Sequence, residues 1–366
     1  MRLLLRTFAL LALFPYLGVV LLLVTGSASW SSVAYVMAIG VLLGGLVTLP
    51  DPEAPVARSR RPRGLSRGAV VALAFVAIAR TVVAGEGRSL RIGDGAGGTP
   101  ERMGSARFVN RLVDEGDVAV AGTRVLVATG MLQDDRRELP FAMSSAYGEM
   151  RREQGDAPSP FVATYLGLER AEAFDLVMIE PPAASGDPTL VPPARGAVVF
   201  LHGFAGNFDL PCWQVAHALA TTNVVTACPS TRWVGDWWSP EGEKTLRRTV
   251  DVLRARGVER IVLAGLSNGG YGASRLAPRM KGTFAGLVLI SGAEPGAPSA
   301  DIPTLVIHGT RDTMTSYEES REYATKNHAK LVTLDAGHFA MLVRADEANA
   351  ALRDFVAAHA ESRASR

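Results

Sequence analysis

The chain shows two different patterns of hydrophobic and polar positions. Residues 8–24 and 33–49 are uncharged apolar runs of 17 residues, and a run of 16 at 69–84 contains Arg80. From residue 196 onward, short apolar runs bounded by turn residues alternate with longer mixed stretches. The pattern predicts a membrane-associated amino-terminal part followed by a folded body.

The amino-terminal apolar runs are interpreted as membrane helices. With their weakly polar flanks, the first two runs are long enough to cross a hydrocarbon core of about 30 Å. The third is shorter, and an arginine is tolerated only near the end of such a helix. The predicted anchor is residues 1–84, with helices at about 5–25, 31–49 and 68–84.

The charges that flank these runs predict the topology. Arg2 and Arg6 precede the first run, and the linker 51–68 carries five arginines, so both would face the cytoplasm. If the third run spans, the body lies outside the cytoplasm, which is the expected localisation. The alternatives are a third helix that lies on the membrane surface and a cleaved signal peptide at 1–28.

The soluble body divides into three predicted segments. Residues 85–100 are rich in glycine and are predicted to be a flexible linker. Residues 101–195 form the amino-terminal part of the body, with helical pieces, a candidate strand at 125–130 and no chemical signature. Residues 196–366 form the core, which carries the chemistry discussed below.

The core pattern predicts a three-layer α/β domain. Its apolar runs are hydrophobic on both faces, which is typical of strands buried in a mostly parallel sheet. The predicted strands are 197–201, 223–228, 260–265, 285–291, 303–309 and 330–335. The predicted helices are 210–221, 240–256, 268–279, 316–327 and 345–359.

Composition narrows the function classes. The chain has 38 basic and 36 acidic residues, a net charge of +2, which together with the lack of a recurring basic stripe argues against nucleic-acid binding. Two cysteines exclude a disulfide-rich scaffold and a zinc-ribbon spacing. Cys212 and Cys228 would form one disulfide outside the cytoplasm or remain two buried thiols.

The strongest chemical signal is the segment Gly265-Leu266-Ser267-Asn268-Gly269-Gly270, at a predicted strand-to-helix junction. A serine there occupies a tight, strained turn, and the glycines avoid collisions with the neighbouring strand and helix. We therefore predict that Ser267 is a nucleophile above the strand ends. The alternative is a glycine-rich turn without catalysis.

A serine nucleophile needs a base with a carboxylate behind it. His338 follows the last predicted strand in Asp335-Ala336-Gly337-His338-Phe339, and Asp312 follows the preceding strand in His308-Gly309-Thr310-Arg311-Asp312. Both are expected at the same sheet edge as Ser267. Fallback acids are Glu294, Asp301 and, more weakly, Asp335.

Two backbone N–H groups are candidates for an oxyanion hole. Gly203 in His202-Gly203-Phe204-Ala205-Gly206-Asn207 lets the chain turn sharply after a strand, so that the N–H of Phe204 faces the reacting centre. The N–H of Asn268 would be the second donor. His202 is expected to hold this loop by hydrogen bonds and not to act as a base.

The segments HGFAGN, GLSNGG, HGTRD and AGHF, in that order along the chain, resemble the α/β-hydrolase fold of serine hydrolases, over about residues 196–360. The order Ser267, Asp312, His338 is that family's order. The resemblance implies acyl transfer to water through an acyl-enzyme on Ser267, with His338 as base and then acid and Asp312 orienting it. It implies no metal and no organic cofactor.

The chain departs from many family members by having only residues 292–302 between the predicted strands 285–291 and 303–309, too few for a helical cap. The pocket is then open, or roofed by 229–242 or by part of 101–180. Trp233, Trp237 and Trp238 are candidate substrate-pocket residues, with Phe339 beside His338. A small aromatic cluster that pins the loop is the equal alternative.

The leading function is a membrane-anchored serine hydrolase that cleaves a carboxylic ester or thioester. The partner would be a small-molecule or lipid-derived acyl substrate, with membrane contact through residues 1–84. A serine peptidase or acyltransferase on the same triad remains open, as does a non-catalytic binding protein on a hydrolase fold.

Overall fold

A computed structural model describes residues 2–24, 30–47, 68–76, 78, 89–93, 101–102, 114–132, 135, 138–154, 174–182 and 194–361. The strands are β1 (Ser89–Gly93), β2 (Glu101–Arg102), β3 (Asp175–Ile179), β4 (Gly196–Leu201), β5 (Val224–Pro229), β6 (Arg260–Leu266), β7 (Gly286–Ile290), β8 (Thr304–Gly309) and β9 (Lys330–Leu334). The helices are α1 (Arg2–Val24), α2 (Trp30–Val47), α3 (Glu115–Ala128), α4 (Leu139–Gln154), α5 (Asp209–Ala218), α6 (Pro240–Ala255), α7 (Asn268–Leu276), α8 (Tyr317–Lys326), α9 (Ala340–Val343) and α10 (Ala345–His359). Residues 68–76 are also helical.

The strands form one mixed sheet in the order β2-β1-β3-β5-β4-β6-β7-β8-β9. Strands β4 to β9 pair in parallel, whereas β1 and β3 join the edge as antiparallel strands. All six core strands and five core helices lie close to their predicted positions. The prediction of a three-layer α/β domain with a mostly parallel sheet is confirmed.

Both faces of the sheet are buried, and β4 shows how its sequence achieves this. Its six residues are all buried. Val198 and Phe200 join the cluster on one face, and Ala197, Val199 and Leu201 join the cluster on the other. The strand is apolar throughout because successive side chains point into opposite layers. Helices α5 and α10 cover the first face, and α6, α7 and α8 cover the second.

The segment before residue 196 is continuous with the core. Helices α3 and α4 add Val120, Leu139 and Tyr147 to the first buried cluster. Strand β3 lies beside β5 in the sheet. The candidate strand at 125–130 is wrong, because residues up to Ala128 belong to α3.

The prediction of a flexible linker at 85–100 is wrong for β1. Residues Ser89–Gly93 pair with β3 along their whole length, and Ile92 is buried in the second cluster. The alternation of Leu90 and Ile92 is a strand pattern, and the glycines that flank it obscured this in the sequence. The other residues of 85–100 lie outside those described.

Helices α1 and α2 coincide with the first two apolar runs and pack together. The Tyr16 hydroxyl donates a hydrogen bond of 3.1 Å to the Val36 carbonyl, and Gly40 lies directly against the Tyr16 ring. Among the described residues, no helix combines the length and the apolar character needed to cross a membrane. The predicted transmembrane helices at about 5–25, 31–49 and 68–84 are therefore not supported.

Candidate active site

Ser267 stands at the junction between β6 and α7, in a strained backbone conformation. Its φ is 56° and its ψ −119°, a region that residues with a side chain rarely adopt. The residue is 8% exposed. This is the geometry expected of a nucleophile on a tight strand-to-helix turn.

The glycines around Ser267 are required by close backbone contacts. A Cβ on Gly265 would lie 2.2 Å from the Gly269 carbonyl oxygen, and one on Gly269 would lie 2.0 Å from the Leu201 carbonyl oxygen. A side chain on Gly265 would push β6 away from the start of α7, and one on Gly269 would push the turn away from β4. The physical reason inferred for the glycines from sequence agrees with these contacts.

His338 and Asp312 are in direct contact. His338 Nδ1 lies 2.8 Å from Asp312 Oδ2, and the two side chains are 5% and 0% exposed. Because an ionised carboxylate only accepts hydrogen bonds, Nδ1 carries the proton and the Nε2 lone pair is left to act as a base. The acid and the base predicted from sequence are thus brought together.

The Asp312 carboxylate is held in its charged form. Its Oδ1 accepts hydrogen bonds from the backbone N–H groups of Met314 and Thr315, at 2.8 and 2.9 Å. Burial opposes ionisation, but the hydrogen bonds from His308 and His338 outweigh it and hold the pKa of Asp312 well below its usual range. Asp312 is therefore a permanent anion in the folded protein at neutral pH.

A second imidazole on Asp312 was missed from sequence. His308 is fully buried, with Nε2 3.1 Å from the same Oδ2 that His338 contacts, and its Nδ1 lies 2.7 Å from the Ser320 hydroxyl. The signal is the four-residue spacing in HGTRD, which returns the carboxylate to the end of its own strand.

The nucleophile and the acid are linked through the residues that follow β7. The N–H of Ser267 donates a hydrogen bond of 2.8 Å to the Ile290 carbonyl. Thr315 Oγ1 lies 2.8 Å from the Ser291 carbonyl and 2.7 Å from Asp312 Oδ2. With Ser267 after β6, Asp312 after β8 and His338 after β9, all three lie at the carboxyl edge of the parallel strands.

The loop after β4 lies over Ser267. A Cβ on Gly203 would be 3.1 Å from Ser267 Cβ, which places the Phe204 peptide beside the nucleophile. His202 binds the Gly203 carbonyl through Nδ1 (2.7 Å) and accepts the Thr231 N–H at Nε2 (3.1 Å). Burial lowers the pKa of His202 to about 4. The expected role of His202, to hold this loop as a neutral residue, agrees with these contacts.

Of the candidate pocket residues, Trp233 is the one that faces solvent at this loop. It is 48% exposed, and Phe204 is 53% exposed. Their rings meet edge to face at 4.8 Å. The Asn268 side chain donates a hydrogen bond of 2.7 Å to the neighbouring Val234 carbonyl. Phe204 and Trp233 together form an apolar wall on the two loops that contact the Ser267 turn.

The structure does not bring the other three pocket candidates into this wall. Trp237 is fully buried, and its indole N–H donates to the His202 carbonyl at 2.9 Å. Trp238 lies under the Arg275 guanidinium, 5.0 Å from it, and lines a charged groove along α6. Phe339 packs on the first core cluster and meets the His338 ring at 5.4 Å. Trp237 is a core residue, whereas Trp238 and Phe339 are partly exposed.

Replacing Trp237 by alanine is expected to cost about 3–5 kcal/mol of unfolding free energy, because a fully buried indole leaves a large cavity. Urea unfolding measures it. Trp233→Ala is the matched control and is expected to change the unfolding free energy by no more than about 0.5 kcal/mol. Equal losses in both variants would contradict the assignment of Trp237 as a core residue.

A buried carboxylate from α3 supports the start of α5. Glu115 is 1% exposed and accepts hydrogen bonds from the Asp209 and Leu210 N–H groups, at 2.9 and 3.2 Å. The Tyr147 hydroxyl donates a third, at 2.8 Å. Burial dominates over these favourable bonds and raises the pKa of Glu115 to about 7. No sequence pattern predicts the contact between Glu115 and Asp209, which are 94 positions apart.

The raised pKa predicts a stability change with pH. Between about pH 4.5 and 7 the folded state binds more protons than the unfolded state, so stability falls as pH rises and then levels off. The fall attributable to Glu115 is on the order of 3 kcal/mol. In Glu115→Gln this fall is expected to disappear from urea unfolding curves, while Glu241→Gln, at an exposed position, keeps it. An unchanged slope in Glu115→Gln would contradict the assignment.

Comparison with known proteins gives fold likeness only. No family model matches the sequence, and no curated protein matches it. Among solved structures, the chain is similar to Est1E from Butyrivibrio proteoclasticus (18% identity, 50% of this chain and 93% of that chain, TM-score 0.41). It is also similar to an α/β serine hydrolase without a lid from Xanthomonas campestris (19% identity, 52% of this chain and 91% of that chain, TM-score 0.42). An esterase from Pyrococcus furiosus is a third similar structure (18% identity, 52% of this chain and 88% of that chain, TM-score 0.42).

The architecture of the chain itself defines its class. A mostly parallel sheet with helices on both faces and a strained serine between a central strand and a helix make an α/β-hydrolase-like fold. The predicted fold resemblance is confirmed at this level. Residues 291–303, all of which the structure describes, contain no helix between β7 and β8, so no cap is inserted there.

Proposed function

We propose that the protein is a serine hydrolase that cleaves a carboxylic ester or thioester through an acyl-enzyme on Ser267. The observation that carries the proposal is the strained backbone of Ser267, with φ 56°, at the sheet edge that also holds the His338–Asp312 pair. A strained, nearly buried serine at this junction has no evident packing role.

Each residue of the site has a distinct role in the proposed reaction. His338 Nε2 removes the Ser267 hydroxyl proton as the oxygen attacks the acyl carbon, and it then protonates the leaving alcohol or thiol. Asp312 keeps Nδ1 protonated and stabilises the imidazolium. The N–H groups of Phe204 and Asn268 stabilise the oxyanion, which in such enzymes contributes about 10²–10³-fold in rate per donor. Water, deprotonated by His338 Nε2, then attacks the acyl-enzyme. His338 returns the proton to Ser267, and the carboxylic acid leaves.

The site favours small or medium esters over peptides. No helix in residues 291–303 covers the carboxyl edge. The wall of Phe204 and Trp233 offers two exposed aromatic faces to an apolar acyl group. A peptidase would need an extended groove with backbone partners, and an acyltransferase is distinguished by its acceptor. Both are outcomes of the test below.

The test uses a fluorophosphonate probe and a substrate panel on the full chain. Wild type is expected to be labelled and Ser267→Ala is not. The panel compares p-nitrophenyl esters of two to twelve carbons with peptide amides, with and without added alcohols. Ester cleavage without amide cleavage supports the proposal. Amide cleavage assigns a peptidase, transfer to the alcohol assigns an acyltransferase, and no labelling of folded protein assigns a binding protein.

We further propose that the catalytic body works in an oxidising compartment, outside the cytoplasm. Cys212 and Cys228 form a disulfide between α5 and β5, and such bonds persist where thiols are not kept reduced. Because both cysteines are buried, the protein is unfolded in denaturant before alkylation and without prior reduction, and both cysteines are expected to stay unmodified. Two alkylated thiols would contradict the proposal.

A further inference from the structure

Asp135 connects the two loops that carry the acid and the base. Its carboxylate accepts the backbone N–H of Gly337, the residue directly before His338. Its other oxygen lies 2.9 Å from the guanidinium of Arg311, the residue directly before Asp312. One side chain therefore touches the neighbour of each member of the acid–base pair.

The carboxylate is fixed in place. The Asp135 side chain is 2% exposed, so its charge is largely removed from water and its two contacts are little screened. The carbonyl of Asp135 accepts the N–H groups of Glu138 and Leu139, at 3.0 and 2.8 Å. Asp135 is thus anchored at the start of α4, and α4 is packed against the core through Leu139 and Tyr147.

Asp135 comes from outside the segment that carries the chemical motifs. It lies between α3 and α4, whereas the motif-bearing core begins at residue 196. The same helical pair reaches the site a second time through Glu115, which holds the first N–H groups of α5. Helix α5 follows the loop that lies over Ser267. Two buried carboxylates of one helical pair therefore hold chain segments at the active-site edge.

We propose that Asp135 is a positioning residue of the active site, and that the helical pair α3–α4 sets the separation of the acid and base loops through it. This positioning role of Asp135 rests on the proposed function. The His338 loop makes its turn just after β9, and the N–H of Gly337 is a buried donor that needs an acceptor. A displacement of about 1 Å at a catalytic base is enough to lower the rate about 10²-fold.

Asp335 provides a matched control. It lies on the same loop and contacts the same guanidinium, with Oδ1 2.9 Å from Arg311 Nε, but it is 80% exposed. Its loss removes an exposed ion pair of little energetic value. A role that came only from charge near Arg311 would therefore affect Asp335→Asn and Asp135→Asn alike.

The experiment compares Asp135→Ala, Asp135→Asn and Asp335→Asn in the full chain, below the unfolding transition. With a p-nitrophenyl ester, Asp135→Ala is expected to lower kcat about 10- to 100-fold and to leave KM within about threefold. Asp135→Asn, which keeps an acceptor for Gly337, is expected to lose less. Asp335→Asn is expected to match wild type. If Asp135→Ala does not fold, Asp135→Asn decides.

Hydrogen exchange of the peptide containing residues 335–339 gives a readout independent of activity. Faster exchange in the Asp135 variants, with wild-type exchange in Asp335→Asn, is expected. Wild-type kcat in a folded Asp135 variant, or unchanged exchange of this loop, overturns the proposal. If wild type is neither labelled nor active, the proposed function fails, and the exchange result still decides whether Asp135 holds the loop.

Discussion

Replacement of Ser267 by alanine is expected to lower kcat/KM for an ester about 10⁴- to 10⁶-fold. The variant loses the nucleophile but keeps the oxyanion donors and the acid–base pair, so only their weak residual effect on water attack remains. Alanine, like serine, has a Cβ, so the substitution leaves the backbone strain at φ 56° unchanged. Initial rates on a p-nitrophenyl ester measure the change.

The control for Ser267→Ala is Ser299→Ala, at an exposed loop position before β8. It is expected to keep wild-type kcat/KM. Circular dichroism is expected to show both variants folded. A Ser267→Ala variant that retained more than about one hundredth of wild-type activity would end the assignment of Ser267 as the nucleophile.

Asp312→Asn is expected to lower kcat about 10⁴-fold at neutral pH. Both imidazoles contact Oδ2, whereas Oδ1 accepts two backbone N–H groups. An asparagine that keeps its carbonyl towards these N–H groups turns its NH₂ group, which only donates, towards both His338 and His308. Without the carboxylate, no acceptor holds the His338 proton on Nδ1, and Nε2 no longer acts as a base. The same change removes the buried anion that both imidazoles contact.

Asp312→Asn also has a signature in stability. Because the pKa of Asp312 is lowered in the folded state, its ionisation stabilises the fold above about pH 4, and this contribution is lost as pH falls further. The variant is therefore expected to be less stable than wild type at neutral pH, and the difference is expected to shrink on acidification. Urea unfolding at several pH values measures it.

Asp301→Asn is the control for the choice of acid, since Asp301 follows the neighbouring strand and is exposed. It is expected to keep wild-type kcat and pH dependence. If Asp301→Asn loses activity and Asp312→Asn keeps it, the acid has been misassigned. The 2.8 Å contact between Asp312 and His338 predicts the opposite result.

The arrangement around Asp312 explains why the site could be found in the sequence only in part. The motifs that carry Ser267, Asp312 and His338 are local, because each follows its strand directly and parallel strands end at one edge. The contact of His308 with Asp312 could not be predicted, because it depends on the orientation of a buried side chain. The distinction between Trp233, which is exposed, and Trp237, which is buried, likewise depends on packing across α6 and α7.

Local pattern by itself determined the core strands and helices, the parallel sheet and the identity of the candidate nucleophile, acid and base, because periodicity and turn residues act over a few positions. Only tertiary structure decided what residues before 196 contribute. Strand β1, Glu115 and Asp135 reach partners between 82 and 202 positions away. The contacts of Glu115 and Asp135 leave no periodic or motif signal, since a buried carboxylate is defined by what surrounds it and not by its neighbours in the chain.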